Sequence, residues 1–333
     1  MNDVLFTGIT GRLGIPLQGA LRKRGISVAC IIRRDAKEYA CDLGGFKLLR
    51  ADIASKESMA GIEGEIKGKV ETTVHMATVG INSREEDMRK TIVEGSANVF
   101  RCAESSGCRN FLYLSSIAAA GWALPGEGPI DERSAIDKRR LGRFGRMKRE
   151  AEERLLGMSG RSAMKTIVLR LGNVYGPPTK LSFVKPIWEM LKRRDRLYYN
   201  RIKNSCMWSP VYIDDVIDCI LMLIERGLFS DGVYFLTGDE NPRVEAIAGM
   251  MAAMISIRIE DMRLRRRDLA YFSLRKLPDL VRGCLRNPSF PDFAYSNERL
   301  KKVLGYIPKV GLEDGLKRTL KWAIEDRIFQ KEA

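Results

Sequence analysis

"TGITGRLG", residues 7–14, is the stretch whose reading decides the fold. Before it, "NDVLFT" (2–7) is a short apolar run. After it, "IPLQGALRKRG" (15–25) carries apolar residues at helical spacing and stops at Gly25. "ISVACIIRR" (26–34) then reads as a second buried strand. Strand, glycine turn, helix and strand make a βαβ unit, and its two strands run parallel. Gly8 lets the chain turn, Gly11 lets the backbone approach a pyrophosphate, and Gly14 lets helix and sheet pack closely. The helix N-terminus offers N–H groups and the positive end of its dipole to an anion. The spacing predicts a dinucleotide site built by Gly8, Thr10, Gly11, Arg12, Leu13 and Gly14.

The same rhythm continues outward. Apolar runs at "FKLLRADI" (46–53), "VETTVHMAT" (70–78), "NFLYLSS" (110–116) and "KTIVLRLGNVYG" (165–176) alternate with helices over 84–106 and near 144–157. That alternation predicts an α/β fold, a doubly wound parallel Rossmann sheet with both faces covered. Past Pro177-Pro178 the rhythm changes. A helix near 182–194, a strand running into a helix over 209–227 and a strand at 232–238 precede a mostly helical remainder. We expect a dinucleotide-binding domain over 1–176 and a smaller, mostly helical substrate lobe over 177–333, with 205–240 returning to the sheet domain.

The chain has 333 residues, 45% hydrophobic and 30% charged, which is ordinary globular composition. No apolar run approaches the roughly 20 residues that cross a bilayer, and the start has no secretory pattern. Seven cysteines with no C-x-x-C pair read as reduced thiols in a cytoplasmic protein. One histidine, His75, excludes a multi-histidine metal site and sits in a strand pattern that predicts a packed role. The net charge of +15 concentrates at 138–149, 192–203, 263–268 and 298–302. Solvated helix faces explain it most simply; an anionic ligand, an acidic partner or a membrane surface are the sharper readings. No nucleic-acid-binding module appears, so nucleic acid is not an expected partner.

The second strand bears on which dinucleotide binds. An acidic residue at its end holds the ribose 2′-hydroxyl of NAD, whereas arginine accommodates the 2′-phosphate of NADP. Here it ends "IIRRD", and Arg33, Arg34 and Arg12 are placed to clamp a 2′-phosphate. Asp35 follows, so NADP is favoured and NAD stays open.

With these blocks in order, the chain resembles the extended short-chain dehydrogenase/reductase family of NAD(P)-dependent epimerases, dehydratases and reductases. The resemblance covers nearly the whole length. It rests on "TGITGRLG", "RADI", "HMAT" (75–78), "NFLYLSS", "KREAEE" (148–153), "LRLGNVYGP" (169–177), "VYIDDV" (211–216) and "LGYIPKVGLEDGLKRTLKW" (304–322). It implies that Asp52 and Ile53 meet the adenine and that Met76, Ala77 and Thr78 line the cofactor's middle. Leu171, Gly172, Asn173 and Val174 would edge the nicotinamide and the substrate. Ser116 falls where a hydroxyl bonds the substrate oxygen, although Ser115 and Ser116 also suit a capped strand end. Lys148 falls where a lysine holds the nicotinamide ribose. The family also implies a homodimer through two helices of the sheet domain, one of them carrying residue 144.

Phe144 is the departure, in "LGRFGRMKREAEE" (141–153), because the family keeps a tyrosine there. A phenyl ring can neither donate, accept nor ionise. Losing a positioned acid/base costs about 10²–10⁴-fold in rate. Three accounts follow. Tyr175, Tyr212, Lys148 or a bound water supplies the proton; the substrate's own groups participate; or the protein binds the dinucleotide without turnover, as a redox sensor or scaffold. "RLG" at 170–172 is a milder departure from the family's Arg-Pro-Gly. The substrate is expected to be a hydroxy or keto compound, a nucleotide sugar or a sterol- or flavonoid-like ketone. Arg201, Lys203, Arg263, Arg282 and Arg286 are candidates to grip a diphosphate. The apolar stretches 247–257 and 269–274 are candidates to cover a lipid-like substrate or touch a membrane, or else they form a plain helical core.

Overall fold

A computed structural model describes residues 3–35, 38, 41–124, 127–178, 183–194, 207–227, 229–259 and 292–326. Strand β1 (Asp3–Thr7) leads through the glycine turn into helix α1 (Gly14–Lys23), then β2 (Val28–Ile32) and β3 (Lys47–Arg50). β2 is buried along its whole length, as a central parallel strand with both faces covered must be. Two short helices, α2 (Lys56–Ala60) and α3 (Glu63–Ile66), lead to β4 (Val70–His75). The helix expected over 84–106 is continuous but changes pitch. It runs as α4 (Glu85–Met88), a π-helical stretch over Arg89–Glu94 and α5 (Gly95–Ser105). β5 (Asn110–Ser116), α6 (Arg143–Ser159) and β6 (Lys165–Leu171) complete the first part.

The main sheet has seven strands in the order β3-β2-β1-β4-β5-β6-β9, and every pairing in it is parallel. β9 is Gly232–Leu236, so the chain returns to the sheet after its excursion. One apolar layer lies on each face. Phe111 and Tyr113 of β5 enter the layer packed by α5 and α6, while Leu112 and Leu114 enter the layer on the other face. The chain winds outward from β1 to β3, then crosses back to β4. The gap beyond the ends of β1 and β4 is therefore the topological switch point, where open α/β sheets bind ligands.

The run at 165–176 is not one strand. It breaks at Gly172, and β7 (Asn173–Tyr175) leaves the sheet to pair in parallel with β8 (Pro210–Tyr212). The cause is a close approach: a Cβ on Gly172 would lie 2.4 Å from the Ser209 carbonyl oxygen. Around this second sheet sit α7 (Val184–Arg193), α8 (Ile213–Arg226), α9 (Val244–Met254) and α10 (Leu312–Glu325). In α9 the residues Val244, Ile247, Ala248, Met251 and Ala252 are buried, so 247–254 is a helix with a buried face, and residues 255–257 follow its end. The stretch 269–274 lies outside the described residues. No helix among the described residues is long and apolar enough to cross a membrane.

Candidate active site

The phosphate turn sits at the switch point. Gly8 has φ +78°, and a Cβ there would lie 2.7 Å from the Ala77 backbone nitrogen at the end of β4. Gly14 packs still closer, since a Cβ would fall 2.2 Å from the Ile9 carbonyl oxygen. Both positions exclude a side chain, for the two separate reasons the motif requires. Gly11 donates to the Gly8 carbonyl and closes the turn at 2.9 Å. Helix α1 starts with no side-chain cap and no acidic residue in its first turn. The amides of Arg12, Leu13 and Gly14 find no acceptor among the described residues. An uncapped helix start with free amides and an uncompensated dipole is the donor set a pyrophosphate needs. The residues present fit a nicotinamide dinucleotide.

Farther along the sheet edge, Arg33 and Arg34 are exposed just past β2. Asp35 accepts from Arg50 at 2.9 Å, so the carboxylate nearest the end of β2 already has a cationic partner. Asp52 is exposed beyond β3 and accepts from the Ala54 amide. Ile53 is buried, and its carbonyl takes a hydrogen bond from the Asn98 side chain at 2.9 Å. Met76 is buried beside the turn, Ala77 is half-buried and Thr78 is exposed.

His75 takes the packed role expected of it. Ser96 Oγ donates to the Ile92 carbonyl at 2.5 Å, so it accepts from His75 Nε2 at 2.8 Å. Nδ1 then accepts from Thr7 Oγ1 at 2.6 Å, and Thr7 Oγ1 accepts from the Ala77 amide. The network assigns the neutral tautomer with its proton on Nε2. Burial, reinforced by the charge of Lys148, pushes the His75 pKa down to about 3. Below the ordinary histidine pKa the unfolded chain takes a proton that the folded chain refuses. Stability therefore falls with pH from about 6.5 towards about 3, at roughly 1.4 kcal/mol per pH unit. Urea unfolding between pH 7 and 4 is expected to show this slope and to lose it in His75→Gln. An unchanged slope in the variant would contradict the assignment.

At the end of β5, helix α6 grips the strand at two points. Lys148 Nζ donates to the Leu114 carbonyl at 2.9 Å. One turn earlier Gly145 packs so tightly that a Cβ would lie 2.2 Å from the Ala118 carbonyl oxygen. Ser116 lies between these two points. Its hydroxyl accepts from the Ala118 amide at 3.2 Å, which caps the following turn and leaves its own proton available. The capping and substrate-facing readings of Ser116 are therefore compatible. Ser115 differs: it is buried and donates to Glu152 at 2.5 Å.

Lys148 is only 3% exposed. Its ammonium stands 4.7 Å from the ring centroid of Tyr113 and 5.9 Å from that of Phe144, within cation–π range of both. Phe144 is half-buried against the same layer. Burial pulls the Lys148 pKa down to about 8, against the opposing pull of Glu152 one turn on. Glu152 itself is fully buried and holds Arg170 of β6 in a bidentate pair, with contacts of 2.7 to 3.2 Å. This pair was not singled out from the sequence. A charged residue inside the buried run "TIVLRLG" was the available signal, since such a charge needs a partner.

Beyond β6, Leu171 and Val174 are half-buried. The Gly172 amide donates to Leu236, and the Asn173 amide to Ser209. Asn173 Oδ1 and the Thr237 hydroxyl are buried without a partner among the described residues. Tyr175, a catalytic candidate in the sequence, is packed and hydrogen-bonded in the second sheet. Its ring packs against Phe183 and Tyr212, its hydroxyl donates to the Leu312 carbonyl at 3.4 Å, and a Cβ on Gly315 would strike that hydroxyl. Burial raises its pKa further. With Tyr212 and the segment 308–312 it lines a separate cavity of about 300 Å³ in the C-terminal lobe. Spacing could not reveal this, because the partners lie over 130 positions away in the chain.

Parts of the basic cluster at 138–149 are paired within the chain: Arg139 with Asp137, Arg140 with Glu127 and Arg149 with Glu153. Arg201, Lys203, Arg263, Arg282 and Arg286 lie outside the described residues. No group of three His, Cys, Asp or Glu among the described residues is placed to hold a metal. The described cysteines, 30, 41, 102, 108 and 219, are free.

Comparison with known proteins agrees with this geometry. The chain is 21% identical over 353 residues to the decarboxylating sterol-4-alpha-carboxylate 3-dehydrogenase of Candida albicans, covering 98% of this chain and 99% of that one. A 3beta-hydroxysteroid-dehydrogenase/decarboxylase of Arabidopsis thaliana is 23% identical, covering 83% of this chain and 66% of its own length. Among solved structures, UDP-glucose 4-epimerase of Thermotoga maritima with UDP-glucose superposes with a TM-score of 0.74 at 20% identity, over 98% and 99% of the two chains. The dTDP-glucose 4,6-dehydratase of Bacillus anthracis in complex with NAD superposes with a TM-score of 0.75 at 14% identity, over 99% of each chain. The family model for NAD dependent epimerases and dehydratases matches residues 4–234, well over half of the sequence. With that match and the phosphate turn at the switch point, the chain belongs to the NAD dependent epimerase/dehydratase family.

Proposed function

We propose that the protein is an NADP-preferring oxidoreductase acting by hydride transfer on a hydroxy or keto compound held between Ser116 and the C-terminal lobe. The observation that carries this is the uncapped start of α1 at the switch point, backed by Arg12, Arg33 and Arg34. Three guanidiniums on one edge suit a 2′-phosphate. Asp35, the residue that would otherwise receive a ribose hydroxyl, is engaged by Arg50. A nicotinamide dinucleotide, when bound, supplies the hydride. The amides of residues 12–14 would hold its pyrophosphate, and Met76, Ala77, Thr78, Leu171, Asn173 and Val174 would border the rest. Ser116, with its proton free, would donate to the substrate oxygen. Sterol-type relatives and nucleotide-sugar neighbours keep both substrate classes within the proposal.

Calorimetric titration tests the cofactor reading. NADPH is expected to bind more tightly than NADH, and Arg33→Ala with Arg34→Ala to weaken NADPH by roughly 10–150-fold, the value of one charge-assisted hydrogen bond. NADH binding should change little. Tighter binding of NADH by the unaltered protein would overturn the NADP preference.

Phe144 supports a second reading, a dinucleotide-binding sensor or scaffold without turnover. NADPH oxidation across a panel of sterol-like ketones and keto sugars separates the two. Binding with no oxidation by either the unaltered protein or Phe144→Tyr would favour the sensor.

A further inference from the structure

We infer that Lys148 supplies the proton that the residue at position 144 cannot, acting directly as the acid and base of the reaction; this rests on the oxidoreductase reading above. The geometry isolates it. α6 clamps the end of β5 at the Leu114 and Ala118 carbonyls, so the segment 114–118, which contains Ser116, is held against the helix that carries Phe144 and Lys148. The Lys148 ammonium is sealed between the Leu114 carbonyl and the rings of Tyr113 and Phe144. An ammonium kept from water is a stronger acid than an exposed one, because burial disfavours its charged form.

Most of the other titratable or charged groups packed around Lys148 are committed elsewhere. On α6, Glu152 is bound by Arg170 and Ser115, and Arg149 is paired with Glu153. On β5, Tyr113 presents its ring face to Lys148 and is stacked at 5.5 Å on His75 behind it; its hydroxyl is buried without a partner among the described residues, and burial raises its pKa above the ordinary tyrosine value. His75 on β4 has both nitrogens hydrogen-bonded. From the π-helical stretch, Arg89 is tied to Glu150. In the other lobe the Tyr175 hydroxyl is engaged by Leu312, and the Tyr212 ring is capped by Arg318 at 5.8 Å. That leaves Lys148, buried and hydrogen-bonded to the Leu114 carbonyl, as the candidate at the end of β5.

The step balances. In reduction, an N–H bond of the ammonium breaks and its electron pair stays on Nζ. The proton forms the new O–H bond at the substrate oxygen as the substrate carbon accepts the hydride supplied by reduced nicotinamide. The neutral amine then regains a proton from water. Oxidation runs the same transfers in reverse, with neutral Nζ as the base. Phe144 puts an apolar ring 5.9 Å from the ammonium, so no phenol at that position competes for the proton.

Two measurements on the full chain test this. The first needs no turnover: protein carrying ¹³Cε-lysine is titrated by NMR, with the Lys148 signal identified by its loss in Lys148→Arg. A midpoint near 8 is expected; a midpoint at the ordinary lysine value of about 10.4 would overturn the inference. The second uses NADPH and the ketone panel. Lys148→Arg keeps the charge and hydrogen-bond donors but cannot titrate, so its NADPH affinity should fall less than tenfold while kcat falls about 100-fold or more. Phe144→Tyr placed on Lys148→Arg should recover at least tenfold of that loss. Retention of more than a tenth of kcat in Lys148→Arg would sink the inference, as would an unaltered protein that binds NADPH but reduces no ketone. Failure of the unaltered protein to bind NADPH or NADH would instead remove the oxidoreductase reading beneath it, and would show as such in the binding measurement.

Discussion

Gly8→Ala is expected to weaken dinucleotide binding by about 100-fold and to lower folding stability as well, because the strain it introduces lies in the folded turn. Two costs add at this position. The first is conformational: Gly8 has φ +78°, and a residue bearing a Cβ loses roughly 1–2 kcal/mol in the left-handed region. The second is steric: the new Cβ would lie 2.7 to 2.8 Å from the backbone of Met76 and Ala77, which cannot swing aside as a side chain would. Relief requires β1 and β4 to part at the point where the pyrophosphate would rest. A turn opened at that point carries its amides off the phosphates; a binding loss of about 3 kcal/mol corresponds to about 100-fold, at tenfold per 1.4 kcal/mol. Gly19→Ala is the control, because nothing lies within 4 Å of its added Cβ and it sits inside α1. Calorimetry with NADPH should find the control unchanged. An affinity for Gly8→Ala within threefold of the unaltered protein would show that the turn does not carry the phosphates.

The largest stability effect is expected at Glu152. Its carboxylate is fully buried, paired in bidentate fashion with Arg170 and accepting from Ser115. Glu152→Ala leaves the Arg170 guanidinium inside the protein without its counter-charge, and also strands the Ser115 hydroxyl. Breaking a buried pair from one side typically costs about 3–5 kcal/mol. Urea unfolding should show a loss of that size. Removing the partner as well, as Glu152→Leu with Arg170→Met, should recover most of it, because an apolar pair of similar volume leaves no buried charge behind. A loss below about 1 kcal/mol in Glu152→Ala would mean that water reaches the pair. The Glu152–Arg170 contact ties α6 to β6, so the same substitution loosens the helix that carries Lys148.

Much of the fold was legible because its signals are local. β5 occupies the seven residues of "NFLYLSS", and the glycine turn needs eight consecutive residues and nothing else. The break at Gly172 was not legible. Its cause is the Ser209 carbonyl, 37 positions away, and an apolar run reads the same whether it stays in one sheet or changes to another. Within the site, the sequence proposed Ser116 and Lys148 and noted a phenyl ring at 144, and the structure brings these residues to the end of β5 and the start of α6. The sequence could not show that the Tyr175 hydroxyl meets the Leu312 carbonyl, since a tyrosine beside a motif carries no mark of what its hydroxyl meets. It passed over Glu152, which stands in plain view in "KREAEE" but looks like any solvated helix acid.

By itself, then, the sequence determined the winding of the sheet, the place of the phosphate turn and the absence of a phenol at position 144. These follow from periodicity and from residue types at short, fixed separations. Only the tertiary structure decided which serine stays available, where the Lys148 ammonium is sealed, how His75 is held neutral and which buried charges neutralise one another. Those outcomes depend on side-chain direction and on atoms from distant parts of the chain meeting within a few ångströms, and no local pattern encodes that meeting.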